Sequence, residues 1–342
     1  MPIPFLTVLG YIAGAVGVGS AIHGAAKMKE ANDTMESAQS RHKRNIAHFE
    51  EENQLTAKKM DKLGTLELNI LHSFSDFSDI IEQIQNRPVF KPYTKSGITL
   101  PEYNGTRLKE VSIGAGVLLG GLGGAALGTA GGFAAGGATT AAVFAFGTAS
   151  TGTAISSLSG AALTNSLYAA LGGGAIKAGG LGMVAGKAAL ATATVGVGLL
   201  VGGIIFGITG ENLSEKADEA WSQMKSSEEK INKICKYLLT LRQTANKYLD
   251  CLSSVNNLYL NHINQMEDFV INQGHTDWND FTPEEQMITE NTVLLVSLLY
   301  RMCQVELVLQ SKDENEMNAV NSEAVEKSIQ DAKTVVKTIK AA

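Results

Sequence analysis

The chain alternates between stretches that are apolar throughout and stretches in which apolar residues return every third or fourth position. Met1 to Ala26 is apolar and has no cationic residue before Lys27. Gly10 and Gly14 give this segment a small-residue spacing of four, repeated by Ala13, Gly17, Ala21 and Ala25. Residues 27–86 turn charged and helix-forming. In their second half Met60, Leu63, Leu66, Ile70, Phe74, Phe77, Ile81 and Ile84 mark one helix face. Met28, Ala31, Met35, Ala38, His42 and Phe49 trace a thinner seam before it. One continuous helix of roughly 60 residues would measure on the order of 90 Å at 1.5 Å per residue. Gly64 and the polar run Glu50 to Gln54 are where it would bend. Residues 87–110 form a connector: Pro88, Pro92 and Pro101 break helix, and Gly97 to Leu100 favours extended chain, enough for a short hairpin.

From residue 111 to 210 the polar face disappears. Lys177 and Lys187 are the only charged residues in these roughly 100 positions, and Ala, Gly, Leu, Val and Ile dominate. About 20 apolar residues cross a bilayer core as a helix, so the block is long enough for four spans with their turns. Gly116, Gly120, Gly124, Gly128, Gly132 and Gly136 recur at every fourth position, and Gly198 and Gly202 repeat the spacing near the end. Four residues overshoot a helical turn by about 40°, so such a stripe winds around the helix and suits a close right-handed crossing, as small-residue motifs do in lipid. A flexible linker would carry Ser and polar residues instead. A hairpin buried in a soluble fold is the alternative, because Gly and Ala make weakly hydrophobic spans.

Periodicity returns in residues 211–273. Asn212 and Glu215 have capping-box spacing. Met224, Ile231, Ile234, Leu238, Leu241, Ala245, Tyr248, Leu252, Val255, Tyr259, Met266 and Phe269 then hold an alternating three-four spacing, the longest heptad run in the chain. Residues 274–342 open on a loop with Trp278 and Phe281. Thr282, Pro283 and Glu285 then supply N-cap, first-turn proline and capping glutamate for a helix to about Gln310, with a seam through Met287, Leu294, Leu298, Val305 and Leu309. A last helix from about Asn318 to Lys340 presents Val325, Ile329, Ala332, Val336 and Ile339. The expected fold is all-α: an elongated helical bundle or coiled coil with a Gly/Ala-rich hydrophobic membrane-insertion domain. Antiparallel long helices are its simplest packing. That arrangement starts the N-terminal apolar segment and the 111–210 block at opposite ends, unless the first helix folds back or the connector recrosses.

Composition narrows the function further. A net charge of −6 argues against a nucleic-acid partner. Three scattered cysteines, Cys235, Cys251 and Cys303, fit neither a disulfide scaffold nor a zinc site and suit synthesis in a reducing cytoplasm. The apolar N-terminus lacks the positive start of a secretory signal. Residues Gly182 to Ala188 imitate a phosphate loop but are one residue short between the glycines and carry Ala where Ser or Thr would hold magnesium. The six histidines form no Glu-x-x-His or His-Glu-x-x-His pattern, and His48 with Glu51 and Glu52 reads as a solvated charge patch. Asp277, Asn279 and Asp280 lack the calcium-loop pattern and read as turn residues. No catalytic, cofactor or metal site is expected, and the protein is not expected to be an enzyme.

Long heptad helices flanking a charge-free Gly/Ala-rich segment resemble the α-helical pore-forming toxins, the cytolysin A and multi-component haemolytic enterotoxin type. The layout carries the resemblance, through Met60 to Ile84, Met224 to Phe269 and the block between them. The Gly116 to Gly136 zipper also looks like the membrane-addressing region of apolipoprotein L. Those toxins carry a shorter hydrophobic tongue than this block, so a single inserted hairpin does not transfer. The resemblance implies a soluble helical bundle that converts, in a lipid bilayer, to an oligomer of this chain, with or without a second subunit, and permeabilises it. The alternative is a constitutive integral membrane protein with a coiled-coil scaffold or tether.

Overall fold

The structure is a computed structural model that describes residues 20–122, 213–309 and 318–341. It is mostly helical, as expected. α1 runs unbroken from Ser20–Gln83, through the polar run at 50–54 and through Gly64. A single interior glycine costs a helix about 1 kcal/mol relative to alanine. Each fully buried large apolar side chain returns about 1.5–3 kcal/mol, and Met60, Leu63, Ile70, Phe74, Phe77 and Ile81 are all 0–1 % exposed. Packing therefore overrides the local break.

The end of α1 is held by specific groups. Arg87 Nη1 donates to the carbonyls of Ile81 (2.8 Å) and Ile84 (3.0 Å), which have no partner inside the helix. Asn86 takes the left-handed backbone (φ 55°) that Asn tolerates, and its amide donates to Asp277 (2.9 Å). Gln85 N–H donates to the Thr276 carbonyl, and Trp278 N–H donates to the Gln85 carbonyl. The connector then makes the expected hairpin, β1 (Thr94–Lys95) against β2 (Ile98–Thr99). Ser96 (φ 55°) and Gly97 (φ 75°) both sit at positive φ, as a two-residue type I′ turn requires.

α2 spans Gly105–Leu122 and is capped by Asn104, whose Oδ1 accepts from Arg107 N–H at 3.0 Å. α3 spans Leu213–Met266 and passes through a π-helical turn, Glu267–Asn272, to Gly274 at φ 78°. All twelve residues of its heptad run are buried. α4 spans Pro283–Met302 and begins with the expected capping box: Glu285 N–H donates to Thr282 Oγ1 and Thr282 N–H to the Glu285 carboxylate. It stops eight residues short of Gln310. Val308–Leu309 instead forms β3, antiparallel to β4 (Ala319–Val320), before α5 (Ser322–Ala341). Over so short a run, apolar residues three or four apart do not distinguish helix from extended chain. The seam expected on α4 is also corrected: Met287 is 37 % exposed, whereas Ile288, Val293, Leu295, Val296, Leu298 and Leu299 are buried. Their positions leave little of the helix exposed, so it has no single apolar stripe.

The chain divides into two compact units, residues 1–49 with 200–233 and residues 50–199 with 234–342. In the first, Ala31 and Met35 of α1 pack with Ala217 and Ala220 of α3, and farther along both helices Arg41 meets Glu228 at 2.9 Å. The two helices rise together and are parallel. In the second, Glu52 pairs with Arg242 (2.9 Å), Lys59 Nζ donates to Asn246 (2.6 Å), and the Tyr259 hydroxyl donates to the Ser73 carbonyl (3.2 Å), again in parallel order. The antiparallel expectation is overturned. An antiparallel pair follows from a short turn, and here about 130 residues separate α1 from α3. α2, whose Lys109 lies on Glu82 (2.7 Å) and whose Ser112 lies on His72, runs back along the end of α1. α4 is antiparallel to α3 as well: Phe281 stacks edge-on against Phe269 (5.4 Å) at its start, and the Met302 carbonyl accepts from Tyr248 (2.6 Å) at its end.

Candidate functional site

The apolar block enters the described structure through α2. Its first buried residues, Val111, Ser112 and Ala115, are 0–1 % exposed. Ser112 exchanges two contacts with α1: its hydroxyl donates to the His72 carbonyl, and His72 Nδ1 lies 3.2 Å from the Ser112 carbonyl. Gly116 follows one turn later. A Cβ there would stand 2.9 Å from His72 Cε1 and 3.0 Å from Nδ1, so the missing side chain is the space the imidazole fills. The first glycine of the zipper thus closes a helix contact inside the second unit. Gly116→Leu is expected to displace the ring and lift this turn of α2, costing about 1–3 kcal/mol by overpacking, read as a lower urea midpoint for the full chain.

Gly120 lies in α2. Gly124, Gly128, Gly132, Gly136, Gly198, Gly202, Gly10 and Gly14 lie outside the described residues, as do the phosphate-loop imitation at 182–188 and Asn212. No helix among the described residues is long and apolar enough to cross a membrane. α2 carries Arg107, Lys109 and Glu110 in its 18 residues.

In the first unit, the starts of α1 and α3 form a small-residue contact through Ala31, Met35, Ala217 and Ala220, all at most 6 % exposed. The N-terminal apolar segment precedes this end of α1, and the 111–210 block precedes this end of α3. Above the contact Trp221 is flanked by the Arg41 guanidinium (5.8 Å from its ring centre) and by Lys225 (5.7 Å). The Arg41 guanidinium also holds the Glu228 carboxyl below its usual range.

Several polar groups elsewhere have structural partners. Glu52 pairs with Arg242 rather than with His48. His262 Nδ1 lies 2.9 Å from the Leu258 carbonyl of its own helix, and His275 Nδ1 meets Glu285 at 2.7 Å. The backbone N–H of Asn279 and the Asn86 amide hold the Asp277 carboxyl below its usual range, as befits a turn residue. Cys235 and Cys303 are buried, and burial pushes the thiols of all three cysteines up, away from reactivity. Among the described residues no group of His, Cys, Asp and Glu could hold a metal ion. A groove of about 880 Å³ between α3 and α5 has an apolar floor of Val255, Ile329, Ala332 and Val336. Its rim mixes Lys247, Lys327 and Lys333 with Asp250, Glu323 and Glu326, so it favours no ligand charge.

One core residue escapes a reading by apolar pattern. The buried seam of α1 is Met60, Leu63, Glu67, Ile70, Phe74, Phe77, Ile81 and Ile84, with Glu67 0 % exposed and Leu66 only half-buried. A strict three-four alternation lands on 67; preference for an apolar residue lands on 66. Neither Glu67 oxygen has a hydrogen-bond partner, and burial holds its carboxyl well above the usual range. Asp61, one and a half turns earlier, is pushed up to about 6 for the same reason. Comparison with protein families, characterised proteins and solved structures finds no match to this chain.

Proposed function

We propose that the protein is a membrane-permeabilising helical bundle: a chain whose packed helices hold its apolar segments until a lipid bilayer takes them up, where copies assemble through the glycine zipper. The parallel start of α1 and α3 carries the reading, because it brings the residues that follow the N-terminal apolar segment beside the residues that follow the 111–210 block, joined by three alanines and Met35. The docking of α2 through Ser112 and Gly116 supports it as well, since the start of the block, with Val111, Ser112 and Ala115 buried, is held on α1. Helices of Ala and Gly partition into lipid less strongly than helices of Leu and Ile, so the two burials lie close in free energy and the chain can pass between them.

Dye release from liposomes by protein purified without detergent tests the reading. Leakage rising more steeply than linearly with protein concentration is expected. A protein obtainable only in detergent, or one that binds vesicles without leakage, would make the coiled-coil tether the better description. In the same assay Gly124→Leu with Gly128→Leu is expected to reduce leakage about tenfold or more while leaving the helical circular dichroism of the soluble chain in place, because two leucines on the stripe hold apart helices that glycine lets touch. Unchanged leakage would remove the zipper from the assembly.

A further inference from the structure

Glu67 occupies a core position of an otherwise apolar heptad seam, one turn from Leu63 on one side and from Ile70 and Leu71 on the other, all 0–1 % exposed. It sits where α1 meets two other chain segments: its charge bears on the Tyr248 phenol of α3 and on the Cys303 thiol at the end of α4. The polar groups around it are committed elsewhere. The Tyr248 hydroxyl donates to the Met302 carbonyl at 2.6 Å and pairs with Ser328 of α5 at 3.1 Å. Burial pushes both the phenol and the thiol up, so the titratable groups facing Glu67 are neutral and no cation among the described residues pairs with it. An apolar residue here would hold the helices together at no such cost, since an unpaired carboxylate in a dry interior is among the most unfavourable groups a fold can bury.

We propose that Glu67 is a release point built into the second unit: the helices close over it only as the neutral acid, and loss of its proton drives α1 away from Tyr248 and Cys303. The sign follows from proton linkage. The closed packing binds one proton more than the open one over the range between the usual carboxyl value and the higher value Glu67 has when buried, so closure weakens as pH rises, by up to about tenfold per pH unit. Asp61 acts with the same sign but finishes near pH 6. His42, whose unpartnered Nδ1 is buried and whose pKa burial lowers from 6.5, acts with the opposite sign and also finishes below pH 7. Asp61 and His42 are present with and without Glu67, so comparison of the two chains isolates the Glu67 contribution. This inference concerns the helix packing in solution, so it stands or falls independently of membrane activity.

Cys303 is 0 % exposed and within the electrostatic reach of Glu67, which makes its thiol the reporter. In the full chain with Cys235→Ala and Cys251→Ala, the rate of Cys303 modification by a neutral alkylating reagent is measured from pH 5 to 9, a range that starts near the usual carboxyl value, with Glu67 present and with Glu67→Gln or Glu67→Leu. Modification takes place in the opened state, where α1 has left Cys303, so the ratio of the rates at each pH cancels the titration of the exposed thiol. The expected result is a ratio that climbs with pH, with Cys303 at least tenfold more protected in both variants at pH 8. A ratio flat in pH would overturn the proposal. So would loss of helical packing in both variants, which would make Glu67 a group that closure requires.

Discussion

Phe74→Ala is expected to lower the unfolding free energy of the chain by about 3–5 kcal/mol, the usual range for deleting a fully buried aromatic ring. Phe74 is 0 % exposed in the seam of α1. Its ring meets Tyr259 of α3 edge-on at 6.1 Å and 85°, and Tyr300 of α4 at 6.4 Å and 52°. Aromatic pairs of this kind add about 0.5–1.5 kcal/mol beyond area burial, so the substitution removes transfer energy, two ring contacts and the filling of the space between three helices at once. Neither tyrosine can follow the loss inward without breaking a hydrogen bond: Tyr259 donates to the Ser73 carbonyl and Tyr300 accepts from Arg107 Nε at 2.6 Å. The cavity therefore stays largely open, which places the cost towards the upper end. Urea unfolding followed by circular dichroism gives the value; a loss below about 1 kcal/mol would show that these helices close without Phe74.

The elements that the apolar pattern reveals are those held by side-chain burial on one face. The heptad run of α3 is legible residue by residue because every one of its twelve positions is buried. The Thr282–Glu285 cap and the hairpin at Ser96 and Gly97 are legible because their chemistry is local. What pattern alone misses has a common cause in long-range packing. The parallel order of α1 and α3 is set by contacts between residues about 185 positions apart, such as Arg41 with Glu228 and Ser73 with Tyr259. α4 lacks a polar face because other segments cover it on most sides, and a stripe sought there lands on the exposed Met287. Glu67 is invisible to any search that scores apolarity, since only the spacing, and not the residue type, assigns it to the core. Gly116 lies against an imidazole of α1, a partner that no spacing of glycines discloses.

A disulfide between cysteines placed at His72 and Ser112 is expected to abolish most liposome leakage, on the order of tenfold or more, and reduction of the bridge is expected to restore it. On the proposed function, Glu110 is the last charge before the block, so a first bilayer span that starts at Val111 runs about 20 residues, to Ala130. That window contains Gly116, Gly120, Gly124 and Gly128, the core of the zipper, and it also contains the residues by which α2 is docked on α1. The same Val111, Ser112 and Ala115 cannot be buried against α1 and in lipid at once. Positions 72 and 112 contact each other twice, through the His72 carbonyl and through Nδ1, so a bridge there ties the first span at its root, with loss of the imidazole that packs on Gly116 and with the remaining glycines unchanged. Leakage that survives a bridge verified by thiol titration would move the first span beyond Leu122 and leave α2 as a fixed part of the soluble fold. Leakage lost under oxidation and regained under reduction would make the undocking of α2 an obligatory step between the packed chain and the membrane.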